Sequence, residues 1–375
     1  MAMNPLLGLQ DEGVSVWLDY LDRHLMRSGR LRKLIDEDGI RGETSNPTIF
    51  QKGVSSGKDY DEDIRRLASA GKTTEEICWE VMISDVKEAC DAFRPLYDES
   101  SGLHGFVSLE LDPTLACETE ASIRQGRELW NLVDRPNLML KVPATEEGLP
   151  VVETLLYEGL NINITLLFAV RRYEEVMDAF LRALSRRADE GKPVDRIASV
   201  ASFFVSRVDS EADKRLDKCL ETHPEWAGKI TGLRGKVAVA NSRMAYGAFQ
   251  KKFGGETWKK LEAKGARLQN PLWASTSTKN PAYSDILYVQ DLIGPHCVNT
   301  MPDDTIDAYR DHGGPKRTLT GETLADAGRV LRTLAEVDVD IEEITLKTLV
   351  DDGVTKFEVS YRDLLKTIEE ASKKK

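Results

Sequence analysis

The chain has 375 residues, 41% of them hydrophobic, which is enough for a sizeable core and argues against a disordered polymer. Lys and Arg number 51 against 63 Asp and Glu, a formal charge of −12, and no basic stripe is visible, so neither nucleic acid nor an anionic membrane is an expected partner. No apolar run approaches the ~18 residues of a membrane span. The five cysteines, Cys78, Cys90, Cys117, Cys219 and Cys297, are widely spaced and form no C-x-x-C, so reduced thiols in a cytoplasmic protein are expected rather than a disulfide framework or a zinc site. Met1 to Gln10 lacks a charged segment followed by a long apolar stretch, and no secretory signal is read there.

Short β-rich runs alternate with long charged stretches of helical character, the pattern of a parallel α/β fold. In chain order the spacing predicts strands at Val14–Leu18 and Ile40–Thr44, a loop at Gly53–Lys58, and a helix over Thr74–Tyr97 with Ile77, Val81, Val86, Ala89, Cys90 and Phe93 near helical spacing. Strands at Gly105–Leu111, Leu138–Val142 and Gly159–Thr165 follow, then a helix over Arg171–Glu190 carrying Val176, Ala179, Phe180 and Leu184. A strand at Ile197–Phe203 precedes helices at Ser210–His223 and Arg243–Lys264 and strands at Arg267–Ala274 and Cys297–Thr300. A loop at His312–Lys316, helices at Leu324–Glu336 and Tyr361–Ser372, and a frayed tail at Lys373–Lys375 complete the reading. Eight strands with helices between them and no dividing linker predict a (β/α)8 TIM barrel, a single domain over residues 1–375 with additional helices.

In a barrel strand alternate side chains face the helices and the interior. Val107, Leu109 and Leu111 share one face, and Glu110 falls on the other. Leu138, Leu140 and Val142 oppose Lys141; Ile162 and Ile164 oppose Asn163 and Thr165; Val14, Val16 and Leu18 leave Asp19 opposed to them. Each residue alone has a plain reading: a strand-end lysine as a solvated charge, an acid as a helix cap, Asn163 and Thr165 as turn residues. Their convergence at strand C-terminal ends, where barrel enzymes carry their chemistry, is the informative feature. At the unperturbed pKa of ~10.4 roughly one lysine in 2,500 is neutral at pH 7. Burial between Leu140 and Val142 is expected to raise that fraction, because an apolar surround disfavours the ammonium. A neutral amine attacks a ketone to give an iminium, and nearby carboxylates can move the protons. This is class I aldol chemistry, which uses no metal or other cofactor. The five histidines, His24, His104, His223, His296 and His312, form no metal-spaced cluster, and no HExxH, GxGxxG or P-loop sequence occurs.

The segments Thr44-Ser45-Asn46-Pro47-Thr48, Val107-Ser108-Leu109-Glu110-Leu111-Asp112, Lys141-Val142-Pro143-Ala144-Thr145, Asn163-Ile164-Thr165-Leu166-Leu167-Phe168 and Ser202-Phe203-Phe204-Val205-Ser206-Arg207 resemble the motifs of transaldolases, in family order and near family spacing. The resemblance runs from Asp19 to Lys279. It implies transfer of a dihydroxyacetone unit from sedoheptulose 7-phosphate to glyceraldehyde 3-phosphate, giving erythrose 4-phosphate and fructose 6-phosphate in the non-oxidative pentose phosphate pathway. It implies Lys141 as the Schiff-base nucleophile, Glu110 with Thr165 positioning a water, and Asp19 exchanging the hydroxyl proton at carbon–carbon cleavage. Asn46, Asn163 and Ser202 are implied to bind the dihydroxyacetone hydroxyls, and Arg207, Lys279 and Ser277 the sugar phosphate. Phe204 resembles the position that separates transaldolases from fructose-6-phosphate aldolases, which carry Tyr there.

Two positions depart from the pattern: Lys279 stands where many members have Arg, and Phe203 where many have Pro. With Trp273-Ala274-Ser275-Thr276-Ser277-Thr278-Lys279 and the extra length, they resemble the longer bacterial and plant-type branch. The alternative within the same chemistry is a class I aldolase of the fructose-6-phosphate aldolase type; outside it stands a sugar-phosphate-binding barrel without catalysis. The partners expected are sugar phosphates, and the sequence is compatible with a homo-oligomer.

Overall fold

The computed structural model describes residues 4–56 and 58–373. Eight strands close into a barrel in sequence order, β1 to β8, with every neighbouring pair parallel. They are β1 Val14–Leu18, β2 Gly42–Thr44, β3 Phe106–Glu110, β4 Leu138–Pro143, β5 Ile162–Leu167, β6 Ser199–Phe204, β7 Gln269–Ala274 and β8 Cys297–Met301. Helices surround the barrel, giving the (β/α)8 architecture expected of the alternating pattern. The outward residues Val16, Leu18, Leu109, Leu140, Val142, Ile162 and Ile164 are all buried in the core that the helices share with the strands. At Gly42 a Cβ would lie 2.5 Å from the Trp17 ring, so the absence of a side chain lets the indole lie across β2.

Register sets the site. Glu110 pairs with Lys141 across β3–β4, and Lys141 with Asn163 across β4–β5, so three inward polar residues stand side by side near the C-terminal end of the barrel. The β5–β6 pairing shifts register between Ile164 and Leu167, and Leu166 takes φ 53° there. This irregularity bends the strand end just after Thr165.

Several element boundaries differ from the sequence reading. The segment Gly53–Lys58 was expected to be a loop, but the helix Pro47–Ser56 continues through residues 53–56, with residue 57 outside the described residues. Asn46 starts that helix by accepting from the Ile49 backbone N–H at 3.0 Å, Pro47 takes its first position, and Ile49, Phe50 and Val54 bury its inner face. The single helix expected over Arg243–Lys264 is two, Val237–Phe253 and Glu256–Glu262, interrupted at Gly254 and Gly255. Gly159, at φ 101°, closes the helix Gly148–Glu158, so β5 begins at Ile162 rather than at Gly159. The loop expected at His312–Lys316 holds from Gly313 onward; His312 itself ends the helix Asp303–His312.

The largest difference is at the C-terminal end. The helix expected over Tyr361–Ser372 starts at Leu349 and runs to Lys373, entered through a π-helical turn at Ile344–Thr348. Lys373 closes it, and residues 374 and 375 of the expected frayed tail lie outside the described residues.

Candidate active site

The C-terminal ends of the strands open into a cavity of about 340 Å3 lined by Asp19, Asn46, Lys141, Thr165, Ser202, Phe204, Arg207, Ser277 and Lys279, all singled out in the sequence. Lys141 is buried on the floor. Its ammonium donates to the Ser45 backbone carbonyl at 3.0 Å and to Glu110 Oε2 at 3.1 Å. The surround is therefore not wholly apolar, as the flanking Leu140 and Val142 suggested: the inward face supplies a carboxylate and the loop after β2 a carbonyl. Burial pushes the Glu110 carboxyl above its ordinary range, and the adjacent Lys141 ammonium offsets only part of that rise. The pair thus places one proton between an amine and an acid that holds protons unusually well.

Asp19 follows β1 directly. Its Oδ1 accepts from the Thr44 hydroxyl at 2.7 Å, and Thr44 Oγ1 lies 2.9 Å from the Thr300 hydroxyl, so adjacent strand ends fix the carboxylate in the mouth. The Thr165 hydroxyl is buried and has no hydrogen-bond partner among the described residues, although it lines the cavity beside Lys141. A buried hydroxyl without a partner marks a place where a water or substrate group belongs.

Ser202 donates to Asn163 Oδ1 at 2.6 Å, and Asn163 Nδ2 donates to the Ser108 hydroxyl at 3.0 Å. Asn163 therefore has both ends of its amide engaged and lies beneath the cavity, touching it through Ser202. Asn46 uses its carbonyl oxygen as a helix cap, which leaves its amide nitrogen for the cavity.

A cationic rim faces this floor. Arg207, on the first turn of the helix Ser206–Thr222, turns inward to line the cavity. Its guanidinium lies 5.2 Å from the Phe204 ring and 6.0 Å from the Phe357 ring, and one terminal nitrogen is buried with no partner among the described residues. Burial lowers its pKa, a cost that an anion would relieve. Lys279 donates to Ser277 Oγ at 2.5 Å. Partial desolvation, then the Arg207 guanidinium, lowers the Lys279 pKa, with Lys52 adding to the effect. Lys279 is nevertheless exposed, and it shares the rim with other positive charge. Phe204 packs on Phe168 with ring centroids 5.2 Å apart and presents hydrocarbon to the cavity.

Sequence reasoning missed Tyr20, Ile49, Lys52, Thr300, Pro302 and Phe357 among the lining residues. Thr300 lies on β8, whose inward alternation was not read. Phe357 was passed over with the first half of its helix, although Leu349, Gly353, Phe357, Tyr361, Leu364 and Ile368 recur at helical spacing. A larger groove of about 720 Å3 lies among outer helices near Lys72, Trp79 and Leu132, away from these groups.

Residues 16–368 match the family described as Transaldolase/Fructose-6-phosphate aldolase. This chain belongs to that family. Curated relatives in it, each named Transaldolase, include one from Mycobacterium tuberculosis (strain CDC 1551 / Oshkosh), 47% identical over 366 residues, and one from Frankia alni, 47% identical over 365 residues. Each of these alignments covers 97% of this chain and 96% of the relative. A third, from Mycobacterium marinum (strain ATCC BAA-535 / M), is 46% identical over 366 residues with the same coverage. The similarity to these family members spans the strand ends that form the cavity as well as the helices around them.

Proposed function

We propose that the chain acts as one catalytic domain, a transaldolase that moves a dihydroxyacetone unit from sedoheptulose 7-phosphate to glyceraldehyde 3-phosphate through a Schiff base on Lys141. The observation that carries this reading is the Lys141 amine, buried on the cavity floor 3.1 Å from Glu110, below a rim where a guanidinium nitrogen has no partner among the described residues.

The neutral amine forms when Glu110 takes the proton of the ammonium. The amine attacks C2 of the ketose, and the carbinolamine loses its hydroxyl as water when protonated by Glu110, through a water held at the Thr165 hydroxyl. Asp19 then takes the proton of the C4 hydroxyl as the C3–C4 bond breaks and erythrose 4-phosphate leaves. The remaining enamine attacks the carbonyl carbon of glyceraldehyde 3-phosphate, and Asp19 returns its proton to the new hydroxyl. Water adds back to the iminium, and fructose 6-phosphate is released with the amine restored. Ser202 and the Asn46 amide nitrogen are positioned to bind the dihydroxyacetone hydroxyls, with Asn163 orienting Ser202. Arg207, Lys279 and Ser277 receive the phosphate of either sugar.

Phe204 supports transfer over the fructose-6-phosphate aldolase alternative, because hydrocarbon there cannot hold a water against the intermediate. Among the described residues no helix is long and apolar enough to cross a membrane, and Cys78, Cys90 and Cys297 are buried free thiols, which supports a cytoplasmic setting. Borohydride reduction in the presence of fructose 6-phosphate tests the mechanism, since only an imine is fixed as a stable adduct. Peptide mapping should place the adduct on Lys141; a label on Lys279 with Lys141 unmodified would overturn the assignment.

A further inference from the structure

The helix Leu349–Lys373 lies across the mouth of the barrel and is held at three points around one aromatic side chain. At Gly353 it passes so close to β5 that a Cβ would stand 2.8 Å from Leu166 Cδ2. At Ser360 its hydroxyl lies 2.8 Å from that of Thr48, on the helix that Asn46 caps. At Tyr361 its ring packs on Trp79 with centroids 6.2 Å apart. Between Gly353 and Ser360, Phe357 is 5% exposed and lines the cavity. Its ring centroid is 6.0 Å from Lys141 Nζ and 6.0 Å from the Arg207 guanidinium carbon. One ring therefore stands over both the reacting amine and the Arg207 cation of the rim.

We propose that Phe357 is a specificity-determining residue: it keeps water from the Lys141-bound intermediate, so that the three-carbon unit passes to an aldehyde instead of being released. The inference rests on the Schiff-base reading above. After cleavage the enamine has two fates. In transfer its carbon forms a bond to the aldehyde carbon, whose oxygen gains a proton, and the nitrogen becomes an iminium. In release a proton from solvent bonds to that same carbon, water adds its oxygen to the resulting iminium carbon, and the carbon–nitrogen bond breaks. One water is consumed, and free dihydroxyacetone and the amine are formed. The two fates differ in which molecule reaches the enamine. A phenyl ring offers no donor or acceptor to order a water, and its helix fixes it where bulk water would enter. Its π face also favours the positive charge that Lys141 carries as ammonium or iminium.

The test measures two rates in the same preparations: dihydroxyacetone released from fructose 6-phosphate alone, and transfer from fructose 6-phosphate to erythrose 4-phosphate. Phe357→Ala should raise the release-to-transfer ratio by about tenfold or more, equivalent to a small change in barrier. Phe357→Leu keeps most of the packing volume and should raise the ratio by less, so it serves where the alanine variant loses its fold. A ring that only packs would change stability or both rates together, leaving the ratio fixed. Borohydride trapping on Lys141 with an unchanged ratio in Phe357→Leu and in folded Phe357→Ala overturns the role of Phe357 alone. Absence of trapping in the unmutated protein overturns the Schiff-base reading and this inference with it.

Discussion

Replacing Glu43 with methionine should stabilise the protein, and by an amount that grows with pH. Glu43 lies on β2 between Gly42 and Thr44, is fully buried, and has no hydrogen-bond partner at either carboxyl oxygen among the described residues. Burial, reinforced by Asp22, raises its pKa well above the ordinary 4.5, and Glu43 in turn adds to the rise that burial imposes on the Cys90 thiol. Below the ordinary glutamate range both folded and unfolded chains carry a neutral carboxyl, and its contribution through proton binding is fully present. As pH rises past 4.5 the unfolded chain ionises while the folded one keeps its proton, so stability falls by about 1.4 kcal/mol per pH unit until the folded group ionises too. Methionine, similar in length and apolar, removes this dependence together with the buried unpartnered oxygens, which cost roughly 1–3 kcal/mol even when neutral. For a chain of this size 1 kcal/mol corresponds to about 1.3 °C in Tm. Calorimetry at one heating rate should therefore show Glu43→Met melting about 3–6 °C above the parent at pH 5.5, and further above it at pH 7.5. A Tm difference that does not change with pH would show that Glu43 is not a buried neutral acid. A variant less stable at both pH values would mean that its carboxyl has a partner.

Lys141→Ala should abolish turnover and borohydride trapping while leaving the fold intact by circular dichroism; residual trapping in this variant would move the covalent lysine elsewhere. Lys279→Ala should raise KM for phosphorylated substrates more than it lowers kcat, and a fall confined to kcat would remove Lys279 from phosphate binding. Phe204→Tyr should increase release of free dihydroxyacetone from fructose 6-phosphate relative to transfer, because the new hydroxyl can position a water. An unchanged product ratio in that variant would remove Phe204 from the argument.

Strand alternation made the floor of the site legible. A period of two leaves no choice of face once Leu109 and Leu111, or Leu140 and Val142, turn toward the helices, so Glu110 and Lys141 had to point inward together. It could not show that Ser45 offers its carbonyl to Lys141, because a backbone contact from the loop after β2 leaves no pattern in side-chain type. Nor could it show that both ends of Asn163 are engaged, which depends on Ser108 and Ser202 from β3 and β6. Phe357 was hidden for a different reason. Asp351, Asp352 and Gly353 resemble a loop and mask the apolar spacing from Leu349 to Ile368, and packing of Gly353 on Leu166 and of Phe357 in the cavity carries the helix through them. The loop expected at Gly53–Lys58 failed in the same way, since Asn46 and Pro47 start a helix upstream that continues through a glycine.

The placement of Phe357 sets an order of assembly. All eight strands, and with them the amine, the two acids and the phosphate-binding rim, precede residue 302, whereas the ring over them arrives with the helix Leu349–Lys373. During synthesis, when chains begin to fold from the N-terminal side, the barrel can close before its cover exists. Under the proposed chemistry the lysine is then armed before it is guarded. Under the same chemistry, a finished molecule lacking the helix Leu349–Lys373 would return to that unguarded state, a transfer catalyst that discards its cargo to water.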